Sequence, residues 1–292
     1  MNEQQVLELF HTCSNWERWG PGDDRGTLNY ITPQVRLRAL RSVRHGEPVS
    51  LGRDLRASRS SWHAMLYVGP DPISTADVLT VAPHGFDVTH VDALGHGLFQ
   101  GRGYGGRQAS ETVTAGGLAH ASIAAMADGV VTRGVLLDVA AASGVAYLPA
   151  DAGVGVGDLE AAQRIAGVAV QPGDAIFVHT GRDRREAAEG VAGDDAPRPG
   201  LLPESVLWLH ERQIAMYSGD CIERMPSGYP RVPMPLHQIG LVAMGLAILD
   251  NPDMERLLAA TDRYESSAFL LVVAPLRIGG GTASAVNPLA VF

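Results

Sequence analysis

The segment from His84 to His96, HGFDVTHVDALGH, concentrates residues that could bind a metal or move a proton. It holds three of the ten histidines of the chain and two of its aspartates. The residues DVTHVDA are mostly β-branched or short and lack a helical spacing of apolar positions, so they predict a strand. Because side chains at positions i and i+2 share one face of a strand, His90 and Asp92 are expected side by side. An imidazole nitrogen and a carboxylate oxygen at this spacing predict the binding of one divalent cation, Zn²⁺ or Mn²⁺.

Two further histidines flank this pair. His96 follows a sharp turn that Gly95 allows, and we expect it either to bind the metal or to act as the base that moves a proton. His84 has the same strand parity as His90 and faces the same site if the chain stays extended through Gly85. The alternative is that the histidines are buried and bonded to backbone carbonyls. A His-x-Asp pair followed by a histidine after a turn favours the metal site.

Helix and strand patterns alternate along the rest of the chain. Helix patterns begin at Pro33, Asp158, Pro203, Pro235 and Pro252. Apolar runs at 133–140, 174–180, 213–218 and 268–275 predict buried strands. This alternation predicts an α/β fold with a covered sheet. We expect a single domain over residues 1–292, with residues 186–202 as a surface loop or a lid.

The composition disfavours some classes of binding partner. The chain has 292 residues, and its 23 basic against 32 acidic side chains give a net charge of -9, which disfavours nucleic acid and gives no reason to expect membrane binding. The N-terminus lacks the regions of a signal peptide, and no uncharged apolar run approaches the length that spans a bilayer. The two cysteines, Cys13 and Cys221, form no disulfide framework. These features predict a cytoplasmic protein.

The residues THVDALGH, 89–96, resemble the T-H-x-D-A-x-x-H core of a cyclase family that includes bacterial kynurenine formamidases and isatin hydrolases. Four other stretches support the resemblance, which spans Trp19 to Phe292: RWGPGDDRGTLNYIT, ADGVVTRGVLLDVA, PLHQIGLVAMGLAILDN and GGGTASAVNPLAVF. The resemblance implies an α/β fold of the swivelling β/β/α type. It also implies a divalent metal, Zn²⁺ or Mn²⁺, a small-molecule substrate, and assembly into a dimer or tetramer.

The resemblance implies roles for individual residues of this chain. His90 and Asp92 correspond to metal ligands, and His96 corresponds to the acid/base group. His237 and Asp250 are the best matches to a second metal position that some members have.

One position departs from the pattern of the short members of the family. Phe86 stands where those members carry a histidine ligand, and its side chain cannot bind a metal. Either His84 replaces the missing ligand, or the third ligand comes from elsewhere, such as His237, or the site holds a single metal and is more open.

The activity that the resemblance implies is hydrolysis of an amide-like C–N bond other than a peptide bond, in an aryl formamide or a small lactam. A metal-activated water would attack the carbonyl, and His96 would be the acid/base group. One alternative is a cyclase or lactone-processing enzyme with the same site. Another is a small-molecule binding protein without catalysis, which Phe86 favours.

Three residues outside the motif are candidate substrate contacts. Trp62 and His63 lie in SSWHAM, where the indole could stack on an aryl ring. Tyr104 lies in GRGYGG, which resembles a run that follows the family motif and would form a flexible wall of the site. Ordinary packing is the alternative for Trp62.

Overall fold

A nine-stranded mixed sheet forms the centre of the protein in a computed structural model that describes residues 1–70, 73–190, 193 and 196–292. Several two-stranded sheets accompany this large sheet. The strands of all these sheets are β1 Pro48–Ser50, β2 Ser61–Val68, β3 Ser74–Val81, β4 His90–Asp92, β5 Val113–Thr114, β6 Gly117–Leu118, β7 Val130–Asp138, β8 Gly153–Val154, β9 Ala175–His179, β10 Gly200–Leu201, β11 Met216–Gly219, β12 Ala247–Asp250, β13 Ala268–Val273, β14 Ala283–Ala285 and β15 Leu289–Val291. The α-helices are α1 Glu3–Thr12, α2 Pro33–Leu40, α3 Ala109–Thr112, α4 Val139–Ala142, α5 Val156–Ala166, α6 Arg182–Glu189, α7 Pro203–Glu211 and α8 Met254–Tyr264. A π-helix spans Leu236–Met244.

Four parallel strands occupy the middle of the sheet, in the order β7, β9, β11, β12. Antiparallel strands flank them, with β13, β15 and β1 beside β7 and with β4 and β14 beside β12. Each connection between parallel neighbours contains helix, because parallel strands need a long crossover. The α/β fold class predicted from the sequence is confirmed.

The sheet is buried on both faces. Ile176 and Val178 of β9 belong to the apolar cluster that includes residues of α1, α5, α7 and the π-helix. Ala175 and Phe177, which alternate with them, belong to a second cluster that includes residues of α2 and α8. A strand covered on both sides is apolar at every position, which explains why the sequence shows continuous apolar runs there.

Several boundaries of helices and strands in the structure differ from those predicted from the sequence. Helix α2 begins at Pro33, and its N-cap Thr32 accepts a hydrogen bond from the backbone N–H of Val35. The strand expected at 133–140 runs over Val130–Asp138, because the Asp138 side chain caps a short helix that follows. The expected loop at 186–202 begins with the end of α6, and residues 191–192 and 194–195 of that prediction lie outside the described residues.

The strands β2 and β3 pair with each other over eight residues in a separate two-stranded sheet. This hairpin exposes large apolar side chains, namely those of Trp62, Met65, Leu66, Tyr67, Val68, Val78 and Leu79. Isolated hairpins are only marginally stable in water, so this surface is unusual for a solvated element. Within the described ranges, no helix combines the length and apolar composition needed to cross a membrane.

We expect Gly134→Ala in β7 to destabilise the fold, because a Cβ at this position would overlap the ring of Phe269. Overpacking a buried position costs about 1–3 kcal/mol. Urea denaturation should therefore show a lower free energy of unfolding for this variant.

The matched control is Gly157→Ala in α5, where an added Cβ meets no heavy atom within 4 Å. This variant should be as stable as the parent or up to about 1 kcal/mol more stable, because alanine favours the helix. Equal stability of Gly134→Ala and the parent would contradict the packing described for β7 and β13.

Candidate metal centre

The candidate site lies where the parallel part of the sheet meets the antiparallel strand β4. β12 ends at Asp250, which is the Cα partner of His90, the first residue of β4. The carboxyl ends of parallel strands are the usual place for ligand sites in α/β sheets. Val91 packs into the core, whereas His90 and Asp92, on either side of it in sequence, line one cavity. The structure thus brings together the two residues that the strand prediction placed side by side.

The cavity beside β4 has a volume of about 230 Å³. Its wall combines imidazoles, carboxylates, a guanidinium, a thiol and apolar side chains. These are His84, His90, His96, His237, Asp92, Glu223, Asp250, Arg198, Cys221, Phe86, Ile222, Met225 and Met234. The cavity is therefore polar where β4 forms its wall and also offers an apolar surface.

Asp92 is the centre of the histidine cluster. Its side chain is 1% exposed, and Nδ1 of His84 and Nε2 of His90 lie 3.1 and 3.5 Å from its Oδ1. His90 Nδ1 donates to the carbonyl oxygen of Val88 at 2.9 Å, which leaves the lone pair of the neutral ring on Nε2, facing Asp92. This is the tautomer that can bind a metal through Nε2.

His237 approaches the other oxygen of Asp92. Its Nε2 lies 3.8 Å from Asp92 Oδ2, and its Nδ1 donates to Glu223 Oε1 at 2.8 Å. Glu223 also accepts the backbone N–H groups of Leu236 and His237 at 3.0 and 3.1 Å, so its carboxylate is held in place. A carboxylate behind the ring is a common arrangement for metal-binding histidines. Glu223 was not predicted as a site residue, because its proline-rich loop has no periodicity that would relate it to His237.

His84 and His96 lie against each other at the cavity. Their rings are stacked with centroids 3.9 Å apart and planes at 15°. His84 Nε2 also contacts Thr282 Oγ1 at 3.0 Å. The expectation that His84 could face the site only through an extended chain is wrong, because Gly85 has φ +111° and the chain bends there. Glycine allows this backbone conformation, and it turns His84 towards Asp92.

The donor atoms fit a divalent cation. In the part of the chain that the structure describes, two sets of three residues have ligand atoms within 4.8 Å of one another, His84–His90–Asp92 and Asp92–His96–His237. Asp92 Oδ1 is buried and accepts no well-aligned hydrogen bond among the described residues, as expected of an oxygen that binds a metal. Nitrogen and oxygen donors without sulfur suit Zn²⁺ or Mn²⁺.

The cluster determines the charge state of two groups. Burial tends to raise the pKa of Asp92, but contact with His84 and the charges of His90, His96 and His237 outweigh burial and hold this pKa below its usual value. Burial lowers the pKa of His96 to about 4, although Asp92 partly opposes the shift. At neutral pH, Asp92 is therefore ionised and His96 is neutral.

The pKa values of His237 and Asp250 are raised instead. Burial tends to lower the pKa of His237, but Glu223, Asp92 and Asp250 together raise it to about 9. Burial raises the pKa of Asp250, and the charges of His90 and His237 only partly oppose this. Asp250 lines the cavity but belongs to neither set of three ligands.

The three candidate substrate contacts lie elsewhere in the protein. Trp62 is 53% exposed on the β2–β3 hairpin, and the neighbouring His63 pairs with Asp77 at 2.6 Å. Tyr104 is buried, and its hydroxyl donates to Asp23 Oδ2 at 2.8 Å. None of the three lines the cavity beside β4. Arg198, which was not predicted as a site residue, does line it.

We expect the free energy of unfolding of the metal-free protein to fall between pH 6.5 and 9. The raised pKa of His237 means that its protonated ring stabilises the folded state, and this ring loses its proton over that range. The contribution is complete below the unfolded pKa of 6.5 and disappears as pH rises through about 9. Glu223→Gln should reduce this loss by up to about 3 kcal/mol. Urea denaturation in a chelating buffer at several pH values measures the free energy of unfolding of the parent and the variant.

Glu160→Gln is the control, since Glu160 contacts Arg212 at 3.4 Å on the surface, away from the cavity. It should keep the pH dependence of the parent. An unchanged pH dependence in Glu223→Gln would show that the Glu223–His237 contact does not stabilise the metal-free fold.

Comparison with known proteins places the chain in a family. The family model described as "Putative cyclase" matches residues 27–223. A solved structure described as a novel cyclase has a TM-score of 0.85 and 26% identity, with 96% of this chain and 100% of the other covered. Isatin hydrolase A from Ralstonia solanacearum has a TM-score of 0.60 and 19% identity, with 89% and 97% covered. An isatin hydrolase bound to the product analogue thioisatinate has a TM-score of 0.60 and 17% identity, with 89% of this chain and 98% of the other covered. No curated protein matches.

These matches confirm the fold that the resemblance implied. The likeness to the isatin hydrolases, at 19% and 17% identity, concerns the fold alone. The family model covers more than half of the chain and includes His84, His90, Asp92, His96 and Glu223. The chain therefore belongs to the putative cyclase family.

Proposed function

We propose that this chain is a metal-dependent hydrolase, a single catalytic domain that cleaves the C–N bond of a small amide-like substrate. One observation carries the proposal: four histidines surround a buried, ionised aspartate at a cavity of about 230 Å³. A buried carboxylate with this many imidazole nitrogens around it is arranged for a cation rather than for packing. The substrate class is an aryl formamide or a small lactam.

The ligands proposed for the cation are His90, Asp92 and His84, with His237 and Asp250 completing a second position. Bound there, Zn²⁺ or Mn²⁺ supplies a Lewis acid that lowers the pKa of water and polarises a carbonyl. His84 lies 3.1 Å from Asp92, so it is well placed to supply the ligand that Phe86 cannot. Glu223 orients the His237 ring so that Nε2 points to Asp92.

His96 is the proposed acid/base group. Its pKa of about 4 leaves the ring neutral at neutral pH, so that one of its two nitrogens can accept a proton from water. Its ring stacks on the ring of His84. The proton would then pass from His96 to the nitrogen that leaves the substrate. Because His96 also belongs to one set of possible ligands, its role needs a test that separates metal content from turnover.

The size and surface of the cavity support a small aromatic substrate. A cavity of about 150 Å³ is enough to hold benzene. The present cavity, about 230 Å³, therefore accommodates one ring with a short substituent. Phe86, Ile222, Met225 and Met234 supply its apolar surface. Such side chains favour an aryl group over a purely polar substrate.

The second candidate is a cyclase or lactone-processing reaction at the same residues. The similarity to a structure described as a novel cyclase, at 26% identity, favours it. A binding protein without catalysis is less well supported, because His84 stands beside Asp92 and offsets the loss of a ligand at Phe86.

Substitutions at the cluster should separate metal binding from proton transfer. His96→Ala should lower kcat by at least about a hundredfold and retain metal, because general acid–base catalysis contributes about 10²–10⁴-fold. His90→Ala and Asp92→Ala should lose both metal and turnover. Elemental analysis and assays with formanilide, isatin and a small aryl lactone measure the two quantities.

Each result of this panel distinguishes one possibility. Turnover of the lactone alone would favour the second candidate. Loss of metal in His96→Ala would make His96 a ligand instead of the acid/base group. A parent protein that binds neither Zn²⁺ nor Mn²⁺ and turns over none of the compounds would refute the hydrolase.

We also propose that the protein assembles as a dimer or tetramer and acts in the cytoplasm. Both cysteines are free, which suits a reducing compartment. Assembly is supported by the β2–β3 hairpin, where Tyr67 and Leu79 are 73% and 54% exposed. Contiguous apolar surface of this kind is typical of protein interfaces.

Tyr67→Ser with Leu79→Ser should weaken self-association, because the double variant removes apolar surface from the hairpin. Sedimentation velocity should show a larger fraction at the single-chain mass of 30.9 kDa. The control Ile165→Ser changes a residue of α5 that is 64% exposed and should assemble like the parent. A parent protein of 30.9 kDa in solution would contradict the assembly.

A further inference from the structure

A second groove lies beside α1, away from the candidate metal centre. Its volume of about 440 Å³ falls within the range of small-molecule sites. Helix α1 lines it with residues that share one helical face, Gln4, Leu7 and His11. The groove has no lining residue in common with the cavity beside β4, so the two are separate candidate sites.

Three aromatic rings form the floor of this groove. The ring of Phe10 lies 4.9 Å from that of Phe99 and 5.6 Å from that of Trp16, measured between centroids. Phe10 and Phe99 are each 8% exposed, whereas Trp16 is only half-buried. The indole Nε1 of Trp16 donates to the carbonyl oxygen of Val242 at 2.7 Å, which ties the ring to the π-helix. An aromatic ligand can stack or pack edge-on against such a floor.

Two arginines line the same groove. The backbones of Arg102 and Phe99 exchange hydrogen bonds of 2.8 and 3.0 Å, and Arg102 Nη1 donates to the carbonyl oxygen of Gly106 at 2.7 Å. Arg231 is held by its backbone N–H, which donates to Glu3 Oε1 at 2.7 Å. In the part of the chain that the structure describes, neither guanidinium forms an ion pair.

The charge of the groove is positive, although the whole chain has a net charge of -9. Among the described residues, no aspartate or glutamate lines it. The guanidinium groups stay protonated at all relevant pH values, so they favour an anionic ligand. The planar fork of arginine matches a carboxylate with two parallel hydrogen bonds.

The volume of the groove indicates the size of the ligand. A cavity of about 150 Å³ is enough to hold benzene. The cavity beside β4, at about 230 Å³, accommodates one ring with a short substituent. The groove beside α1, at about 440 Å³, therefore has room for two fused rings with a carboxylate.

We propose that the groove beside α1 is a second ligand site, which binds a two-ring aromatic carboxylate. The rings of the ligand pack on the three aromatic side chains of the floor, and its carboxylate binds Arg231 and Arg102. The site goes beyond the proposed hydrolase and does not depend on it, because the two sets of lining residues are distinct.

Binding of 2-naphthoate and of its neutral counterpart 2-naphthamide tests the site. Isothermal titration would use the full-length protein after dialysis against a chelator, so that no metal ion binds the carboxylate. The parent should bind naphthoate more tightly than naphthamide. Arg231→Gln should raise the ratio of the naphthoate Kd to the naphthamide Kd by about threefold to tenfold, because the exposed guanidinium is partly screened by water.

The matched control is Arg164→Gln, which removes an exposed guanidinium from the last turn of α5, outside the groove. It changes the net charge by the same amount and should keep the Kd ratio of the parent. Trp16→Leu removes a ring of the floor but no charge, so it should weaken both compounds by a similar factor. Circular dichroism of each variant checks that it is folded.

Three results would overturn the proposal. Equal affinity of the parent for the two compounds, or an unchanged Kd ratio in Arg231→Gln, would show that no anion is recognised. Naphthoate binding that neither Arg231→Gln nor Trp16→Leu weakens would place the ligand elsewhere. Absence of naphthoate binding, together with weaker self-association of Trp16→Leu in sedimentation velocity, would make the groove an interface between copies of this chain.

Discussion

The candidate site depends on one buried carboxylate. Asp92 is 1% exposed, and an ionised carboxylate taken out of water is costly unless partners surround it. Histidines from three parts of the chain provide this compensation: His84 from the bend before β4, His90 from β4 itself, and His237 from the π-helix. Each of these rings is oriented in turn by a second contact, with Thr282, Val88 and Glu223 respectively. These outer contacts therefore orient the rings that surround Asp92.

The sheet explains why these groups meet. The parallel order ends at β12, and the antiparallel β4 then starts at His90, directly beside Asp250. On the other side of β4, β14 pairs His90 with Ala285 and Asp92 with Ala283. The apolar faces of the sheet, covered on both sides, keep the strand ends in fixed positions while loops complete the cavity.

Phe86 connects the metal-binding side of the cavity with its apolar side. It follows His84 by two residues, its carbonyl oxygen accepts a hydrogen bond from Asn251, and its ring carries two guanidinium groups. A ring at this position cannot bind a metal. It does make a flat wall next to the histidines and contacts both guanidinium groups through its ring.

The local part of the site can be predicted from the sequence alone. Strand parity was enough to place His90 beside Asp92, and the alternation of apolar runs with capped helices was enough to predict the α/β class, because both depend on neighbouring residues only. Tertiary structure decided the rest. Glu223 contacts His237 from a proline-rich loop that has no periodicity. Arg198 contacts Phe86 from a distant segment of the chain. Gly85 has a positive φ that turns His84 towards the site, and the pattern of side chains does not predict this angle. Trp62 and Tyr104, plausible from their residue types, lie outside the cavity because the packing of a separate hairpin and a buried loop places them there.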